Sequence, residues 1–123
     1  MATTASDATT TSAPFAERFA AFYRGPFLQE HQHPANVALH VTGTVSALAL
    51  LAACAAGLVP AKAALLFPVV HALPGVVGHA AFEPSESAGT LRVFRQDLPR
   101  MWFFYANHVM SAEALLRVKI LSP

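Results

Sequence analysis

Charge is scarce in this sequence, and cysteine nearly absent. Only 12% of the 123 residues are charged, whereas 54% are hydrophobic, and ordinary soluble domains carry about twice that share of charge. The single cysteine excludes an internal disulfide. A net charge of +1 offers no basic surface, and no run of Lys and Arg alternates with aromatic residues. The composition therefore argues against a nucleic-acid partner and favours a membrane protein.

The chain divides into a polar tail and one apolar domain. Residues 1–14 are almost all small and polar, so they cannot bury enough surface to offset the entropy lost on ordering, and they lack the pattern of a secretory signal. We predict a disordered tail there and a single membrane domain over residues 15–123. From Phe15 to the break at Gly25, apolar residues recur at helical spacing. This predicts an interfacial helix over about residues 15–24.

Two apolar runs predict transmembrane helices. Residues 41–59 and 63–82 contain no charged side chain, and each run is long enough to cross about 30 Å of hydrocarbon. Pro34 suits the first turn of a helix, so we expect spans over about residues 36–59 and 63–82. The three residues between the runs, 60–62, allow only a tight reversal, for which Gly57 supplies the stop and Pro60 the turn. The predicted fold is all-α, an integral membrane antiparallel transmembrane hairpin with flanking amphipathic helices.

Basic residues flank the predicted hairpin on both sides, while its loop holds only Lys62. By the positive-inside rule, both termini and the adjoining site face the cytoplasm. Residues 90–121 predict one or two interfacial helices, broken near Pro99. The aromatic segment at residues 101–105 suits either the membrane interface or helix packing. A buried helix pair in a soluble bundle is the alternative to membrane insertion.

Metal-binding side chains gather at one end of the predicted hairpin. With the turn centred on Ala61, His40 lies opposite Phe82 and therefore at the depth of His79 and Glu83. His79 and Glu83 are four residues apart, the spacing that lets two helical side chains hold one ion. Imidazole and carboxylate suit ferrous iron and also zinc, so these residues leave the identity of the metal open.

The candidate metal ligands are His31, His40 and His79, because ionisable groups in membrane segments are usually functional. Whether His31 or His33 faces the metal stays open. Asn36 lies one turn before His40 and is a candidate catalytic residue. It would either donate to the substrate or fix the tautomer of an imidazole.

Three other polar residues allow more than one interpretation. Glu83 is a candidate catalytic residue, but it equally suits a metal ligand, a partner that orients an imidazole, or a helix cap. His71 is about 12 Å along the helix from His79, which is too far for a shared ion and favours interhelical hydrogen bonding. His108 stands alone on its segment and is expected to be solvated or interfacial.

The histidine segments resemble a known family. His-x-x-Pro-x-Asn-x-x-x-His-x-x-Gly spans residues 31–43, and Gly-His-x-x-Phe-Glu spans residues 78–83. A downstream segment contributes Asp97, Arg100, Met101 and Trp102. Over about residues 22–104, the chain is similar to the small membrane proteins named after the fungal 2-hydroxy-fatty-acid dioxygenase of phytosphingosine breakdown.

The resemblance implies an enzyme that uses Fe(II) and dioxygen to remove one carbon from a long-chain 2-hydroxy fatty acid by α-oxidation. It implies His31, His40 and His79 as the ligands of that iron. In such a reaction Arg92 and Arg95 are candidates for binding the substrate carboxylate. Family members are often longer, so a single hairpin suggests that two chains assemble as a homo-oligomer.

The chain also departs from the family pattern, at residues 84–89 and at His71 and Pro74. These departures bear on the substrate loop rather than on the histidine motifs. Two alternative functions stay open. One is another histidine-metal lipid-modifying enzyme, although the clustered histidine boxes of membrane diiron enzymes are absent. The other is a non-catalytic membrane hairpin that scaffolds partners through a small-residue face.

Overall fold

The structure is a computed structural model that describes residues 13–83 and 100–123. The described residues form helices and no strand: α1 (Phe15–Phe22), a π-helical turn (Tyr23–Phe27), α2 (Pro34–Ala55), a 3-10 helix (Ala61–Leu66), α3 (Phe67–Phe82) and α4 (Arg100–Leu116). The all-α prediction is confirmed for this part of the chain. Most of the predicted tail, the loop at residues 84–89 and the break near Pro99 lie outside the described residues.

The aromatic side chains of α1 and the π-helical turn form an apolar core with α4. Phe19, Phe22 and Phe27 are buried together with Trp102. The Trp102 ring centroid lies 5.5 Å from that of Phe22 and 5.8 Å from that of Phe19. Pro26 lacks the N–H that a regular α-helix would use, and the helix widens into a π-helical turn around it. This turn directs the chain towards the start of α2.

The aromatic segment of α4 is divided between the core and the surface. Trp102 is only 6% exposed, whereas Met101 and Tyr105 are 52% and 46% exposed. The sequence left open whether this segment packs or lies at an interface. Trp102 packs in the core, and the two neighbouring side chains lie on the outside of the helix.

The segment that follows α4 is fastened to Glu113. The Glu113 carboxylate accepts hydrogen bonds of 3.3 Å from the backbone N–H groups of Leu121 and Ser122. It also accepts hydrogen bonds from the hydroxyl groups of Ser122 and Tyr23. Burial raises the pKa of Glu113, but these hydrogen bonds outweigh burial and hold the pKa below its ordinary value. Arg24 Nε donates to the Leu121 carbonyl at 2.6 Å. The π-helical turn, through Arg24, and α4, through Glu113, thus both bind the C-terminal segment at residues 121–122.

α2 and α3 pack side by side and run in opposite directions. At one end, the His33 backbone N–H donates to Glu83. Farther along α2, Gly43 lies against the His71 carbonyl, so that a Cβ on Gly43 would overlap it. Later positions in α2 therefore meet earlier positions in α3. The absence of a Cβ at Gly43 lets the two backbones approach closely.

The chain reverses near Gly57 and not at the predicted Ala61. Gly57 has a φ of 71°, a left-handed conformation that glycine adopts without steric cost. As a result, His40 lies against Gly75 and not opposite Phe82. The predicted register is wrong by roughly two helical turns. The stop at Gly57 agrees with the prediction, but the chain already reverses there, because α2 ends at Ala55 and a 3-10 helix begins at Ala61.

Two helical segments, Pro34–Ala55 and Ala61–Phe82, have 22 residues each and are long and apolar enough to cross a membrane. Only 17% of the apolar window of each is buried inside the protein, whereas the core helix of a soluble protein is mostly buried. Leu65 and Val69, for example, are 82% and 57% exposed. Among the described residues, most of the apolar surface of both segments is therefore not covered by other parts of the chain.

Candidate metal centre

The three predicted histidine ligands lie together between the start of α2 and the end of α3. His31 precedes α2, His40 lies in its second turn, and His79 lies in the last turn of α3. The His31 ring centroid is 4.6 Å from that of His40 and 4.7 Å from that of His79. One nitrogen from each ring lies within 4.8 Å of the other two. This histidine cluster is close enough to hold one metal ion.

His31 is oriented by the π-helical turn. Its ring stacks on Phe27 with centroids 4.1 Å apart, and Nδ1 is 2.6 Å from the Phe27 carbonyl oxygen. Since a carbonyl only accepts, the proton lies on Nδ1 and Nε2 keeps its lone pair. That Nε2 is buried, and no atom of residues 13–83 or 100–123 forms a hydrogen bond with it. Burial lowers the pKa of His31 to about 4, so the ring is neutral near pH 7 and able to bind a cation.

His40 and His79 face each other across the α2 and α3 interface, with their Nε2 atoms 3.1 Å apart. Two nitrogens that each bind one ion at about 2.0–2.1 Å are separated by a similar distance. Gly75 makes this arrangement possible, because a Cβ at that position would lie 2.7 Å from His40 Nδ1. The helix contact therefore places both rings where a shared ion would need them.

Asn36 is fully buried and contacts His79 directly. Its Nδ2 lies 3.3 Å from His79 Nδ1 and donates to the Glu30 carbonyl at 3.3 Å. Its Oδ1 lies against Gly78, where a Cβ would overlap it, and has no hydrogen-bond partner in the part of the chain that the structure describes. Because an amide N–H only donates, this contact makes His79 Nδ1 the acceptor and leaves the ring's proton on Nε2. Of the two predicted roles of Asn36, partnership with an imidazole is therefore favoured, and metal binding through His79 Nε2 would require the amide to turn its oxygen towards Nδ1.

His33 lies outside the histidine cluster and caps α2. Its Nδ1 accepts a 3.1 Å hydrogen bond from the Ala35 N–H, and its ring stacks on Phe82 at 4.9 Å between centroids. Its own backbone N–H donates to Glu83 at 2.6 Å. The cluster thus contains His31 and not His33. Glu83 joins the ends of α2 and α3, which corresponds to the cap among the roles considered for it.

A second polar cluster joins α2, α3 and α4. Asn107 Nδ2 donates to Thr44 Oγ1 at 3.2 Å and lies 3.4 Å from His71 Nε2. The Ser111 hydroxyl donates to the same Thr44 oxygen at 3.2 Å. His71 thus makes the interhelical contact expected from its distance to His79. No motif in the sequence indicated Thr44, Asn107 or Ser111. The only signal was the spacing of Asn107 and Ser111, four residues apart on one face of α4.

His108 packs on His71 and does not stand alone as expected. Their rings are stacked with centroids 5.1 Å apart, and His108 Nδ1 lies 2.9 Å from the Phe104 carbonyl oxygen. The expectation of a solvated side chain failed because α4 lies against the α2 and α3 pair. The predicted substrate-binding residues Arg92 and Arg95 lie outside the described residues.

The histidine cluster has the donor chemistry of a catalytic metal site. Three imidazoles bound to one ion leave further coordination positions for small molecules, as in sites of zinc and of non-haem iron. The orphaned Nε2 of His31 supports this interpretation, since a buried polar atom without a partner is costly unless a ligand satisfies it. The three histidines fit a metal ion, and their donor atoms suit both zinc and iron.

Comparison with known proteins identifies the family. A family profile described as 2-hydroxy-palmitic acid dioxygenase Mpo1-like matches residues 15–117. The matched range contains the whole histidine cluster, Asn36 and all residues of the second polar cluster. No curated protein and no solved structure matches the chain. Because the profile covers most of the sequence, the chain belongs to the 2-hydroxy-palmitic acid dioxygenase Mpo1-like family.

Proposed function

We propose that this protein is an iron(II)-dependent dioxygenase that shortens long-chain 2-hydroxy fatty acids by one carbon. The family description supports the substrate class. The observation that carries the proposal is the cluster of three imidazoles, whose ligand atoms lie within 4.8 Å of one another. In the balanced reaction, one 2-hydroxy acid and one dioxygen yield a fatty acid one carbon shorter, carbon dioxide and water.

His31, His40 and His79 would hold the iron through ring nitrogens that face a common point. When bound, Fe(II) would supply the electrons that activate dioxygen next to the substrate's first two carbons. The buried Nε2 of His31 enters this ligand set without first breaking a hydrogen bond, because it has none. The Phe27 carbonyl retains the proton on Nδ1 and keeps the ring in the tautomer that binds a metal.

Asn36 and Glu83 would support the site rather than react. Asn36 touches His79 Nδ1 and would fix the orientation of that ring. Glu83 binds the backbone N–H of His33 and so holds the segment before α2 against the end of α3. Since His31 lies on that segment, loss of this contact would loosen one ligand. We retain Arg92 and Arg95 as the proposed partners of the substrate carboxylate.

α2 and the segment Ala61–Phe82 would cross the membrane as a hairpin, with both termini and the histidine cluster on the cytoplasmic side. Their exposed apolar side chains support this arrangement, since large apolar surfaces on soluble proteins are rare. The acyl chain of the substrate would lie against these helices or the lipid, where each buried methylene contributes about 0.8 kcal/mol. Two chains would associate in the bilayer.

Oxygen uptake with 2-hydroxypalmitate tests the proposal. The full chain is purified anaerobically in detergent micelles, loaded with Fe(II) and supplied with the hydroxy acid, and the products are identified by mass spectrometry. We expect a fifteen-carbon acid, with oxygen consumption abolished in His40→Ala and His79→Ala. His33→Ala is the matched control, because this neighbouring histidine caps α2 outside the cluster. Failure of the wild-type protein to consume oxygen with this substrate would refute the proposal.

A further inference from the structure

The segment that follows α4 folds back towards the π-helical turn and forms a strap at residues 117–122. Arg117 has a φ of 53°, a left-handed conformation that a residue with a Cβ adopts only at a cost in energy. The Val118 N–H donates to the Glu113 carbonyl at 3.2 Å and closes the end of the helix. A strained backbone of this kind persists only where the surrounding contacts hold it.

Side chains from the π-helical turn and from α4 both bind the strap. Arg24 Nε, in the turn, donates to the Leu121 carbonyl at 2.6 Å. Glu113 Oε1, on α4, accepts hydrogen bonds of 3.3 Å from the N–H groups of Leu121 and Ser122. The Leu121 side chain packs against the apolar core that the turn shares with α1 and α4. The strap therefore fastens the π-helical turn to α4.

The π-helical turn is also the base of a column of stacked rings that ends at the histidine cluster. The Tyr23 ring stacks on Phe27 with centroids 5.5 Å apart and an interplanar angle of 18°. Phe27 stacks in the same way on His31, at 4.1 Å and 20°. Tyr23 and Phe27 are 0% and 3% exposed, and closely packed rings transmit a displacement to one another. A shift of the turn at Tyr23 would therefore move the His31 ring.

His31 depends on this column more than the other two histidines depend on anything outside their helices. His40 and His79 lie on α2 and α3, which pack directly against each other, whereas His31 precedes α2. Its ring is held by Phe27, through the stack and the 2.6 Å contact of Nδ1 with the Phe27 carbonyl oxygen. The position of His31 is thus set by the turn that the strap fastens.

We propose that the strap positions a metal ligand, with Arg24 and Glu113 as positioning residues that act through the ring column on His31. The inference rests on the proposed metal centre and extends it to a segment far away in the sequence. If the strap served only stability, weakening it would lower the free energy of unfolding but leave the coordination of the bound metal unchanged.

Titration of the full chain in detergent micelles with Co(II), followed by visible absorption, tests this role. Glu113→Leu removes the acceptor of two strap N–H groups, and we expect the Co(II) affinity to fall roughly tenfold. The visible absorption of the saturated variant should also change, because solvent takes the place of a displaced imidazole. Glu113→Gln keeps an acceptor oxygen and should restore both the affinity and the absorption.

Arg24→Met removes the other side-chain contact of the strap, and we expect it to lower the Co(II) affinity and change the absorption as Glu113→Leu does. Ser111→Ala is the matched control. Ser111 lies on the same helix as Glu113 and also makes a buried hydrogen bond, but its partner is Thr44 and not the strap. We expect this variant to bind Co(II) with the affinity and absorption of the wild type.

The outcomes separate this inference from the proposed function. If the wild-type protein binds no Co(II), the metal centre is refuted, and the role of the strap with it. If the wild type binds Co(II) and both strap variants match it in affinity and absorption, only the role of the strap is refuted. An equal loss in Ser111→Ala would also refute that role, since it would indicate general destabilisation. Circular dichroism verifies folding, and should Glu113→Leu not fold, Arg24→Met decides, because the Arg24 side chain is exposed.

Discussion

Replacing Gly75 with alanine should damage the metal centre far more than the fold. A Cβ at Gly75 would lie 2.7 Å from His40 Nδ1 and 2.9 Å from His40 Nε2, whereas ordinary contact begins at 3.4 Å. The ring would have to retreat by on the order of 1 Å. Metal sites tolerate deviations of only about 0.2 Å in ligand distance. We therefore expect metal affinity to fall at least about tenfold, as it does on loss of partners that orient a ligand.

The cost to stability should be small by comparison. Crowding a packed interface costs about 1–3 kcal/mol, while alanine favours a helix over glycine by about 1 kcal/mol. The net destabilisation of Gly75→Ala is then about 0–2 kcal/mol. The assay is Co(II) titration together with thermal unfolding followed by circular dichroism.

Gly25→Ala is the matched control for this prediction. A Cβ at Gly25 would meet nothing within 4 Å, so the substitution should leave metal affinity unchanged. The reasoning would be refuted if Gly75→Ala bound Co(II) within twofold of the wild type. That result would mean that His40 does not bind a metal from the position it occupies against α3.

Other perturbations test separate contacts. His33→Ala should lower the free energy of unfolding by about 1 kcal/mol, because the α2 cap is lost, and should still bind Fe(II) normally. His31→Ala should lose the metal, because it removes a member of the histidine cluster. An equal loss of metal in both variants would contradict this distinction. Trp102→Ala should cost about 3–5 kcal/mol in denaturant unfolding, since the ring fills the core against α1, and a loss below 1 kcal/mol would contradict that packing. Because the folded-state pKa of Glu113 lies below its unfolded value, its carboxylate stabilises the fold above the unfolded pKa and loses that effect as the pH falls through the folded pKa. Between about pH 7 and about pH 3, the free energy of unfolding of Glu113→Gln should therefore fall less than that of the wild type. Identical pH dependence of unfolding in the two proteins would contradict a stabilising role of the Glu113 carboxylate.

The meeting of His40 and His79 was predictable because it depends on helix length and direction. Two apolar helices joined by a short connection must bring their distant ends together. The register was not predictable to within a turn, since it depends on where the chain reverses, and both Gly57 and Pro60 lie in the connection between the apolar runs. His79 lies one helical turn beyond Gly75, the residue against which His40 packs, so the two imidazole rings are still in contact.

The choice between His31 and His33 could not be made from the sequence. Both precede the first regular turn of α2, where no periodicity specifies a direction. The π-helical turn settles their positions, because it places the Phe27 ring and carbonyl against His31. The π-helical turn around Pro26 has no characteristic spacing of apolar residues, so it could not be predicted from the sequence.

The contribution of α4 was missed for a different reason. Asn107 and Ser111 are uncharged and common on the outer face of an amphipathic helix, so their pattern does not distinguish solvent from a buried polar contact. Only the packing of α4 against α2 places them beside Thr44. The second polar cluster depends on tertiary contact between distant segments and therefore required the structure.

The central claim is that three histidines hold a metal ion, and metal analysis of the anaerobically purified protein tests it most directly. We predict about one iron per chain in the wild type, and almost none in His31→Ala, His40→Ala and His79→Ala, because each removes one member of the cluster. His33→Ala should retain the wild-type iron content. A wild-type protein without metal, or an iron content unchanged by all three substitutions, would contradict the account.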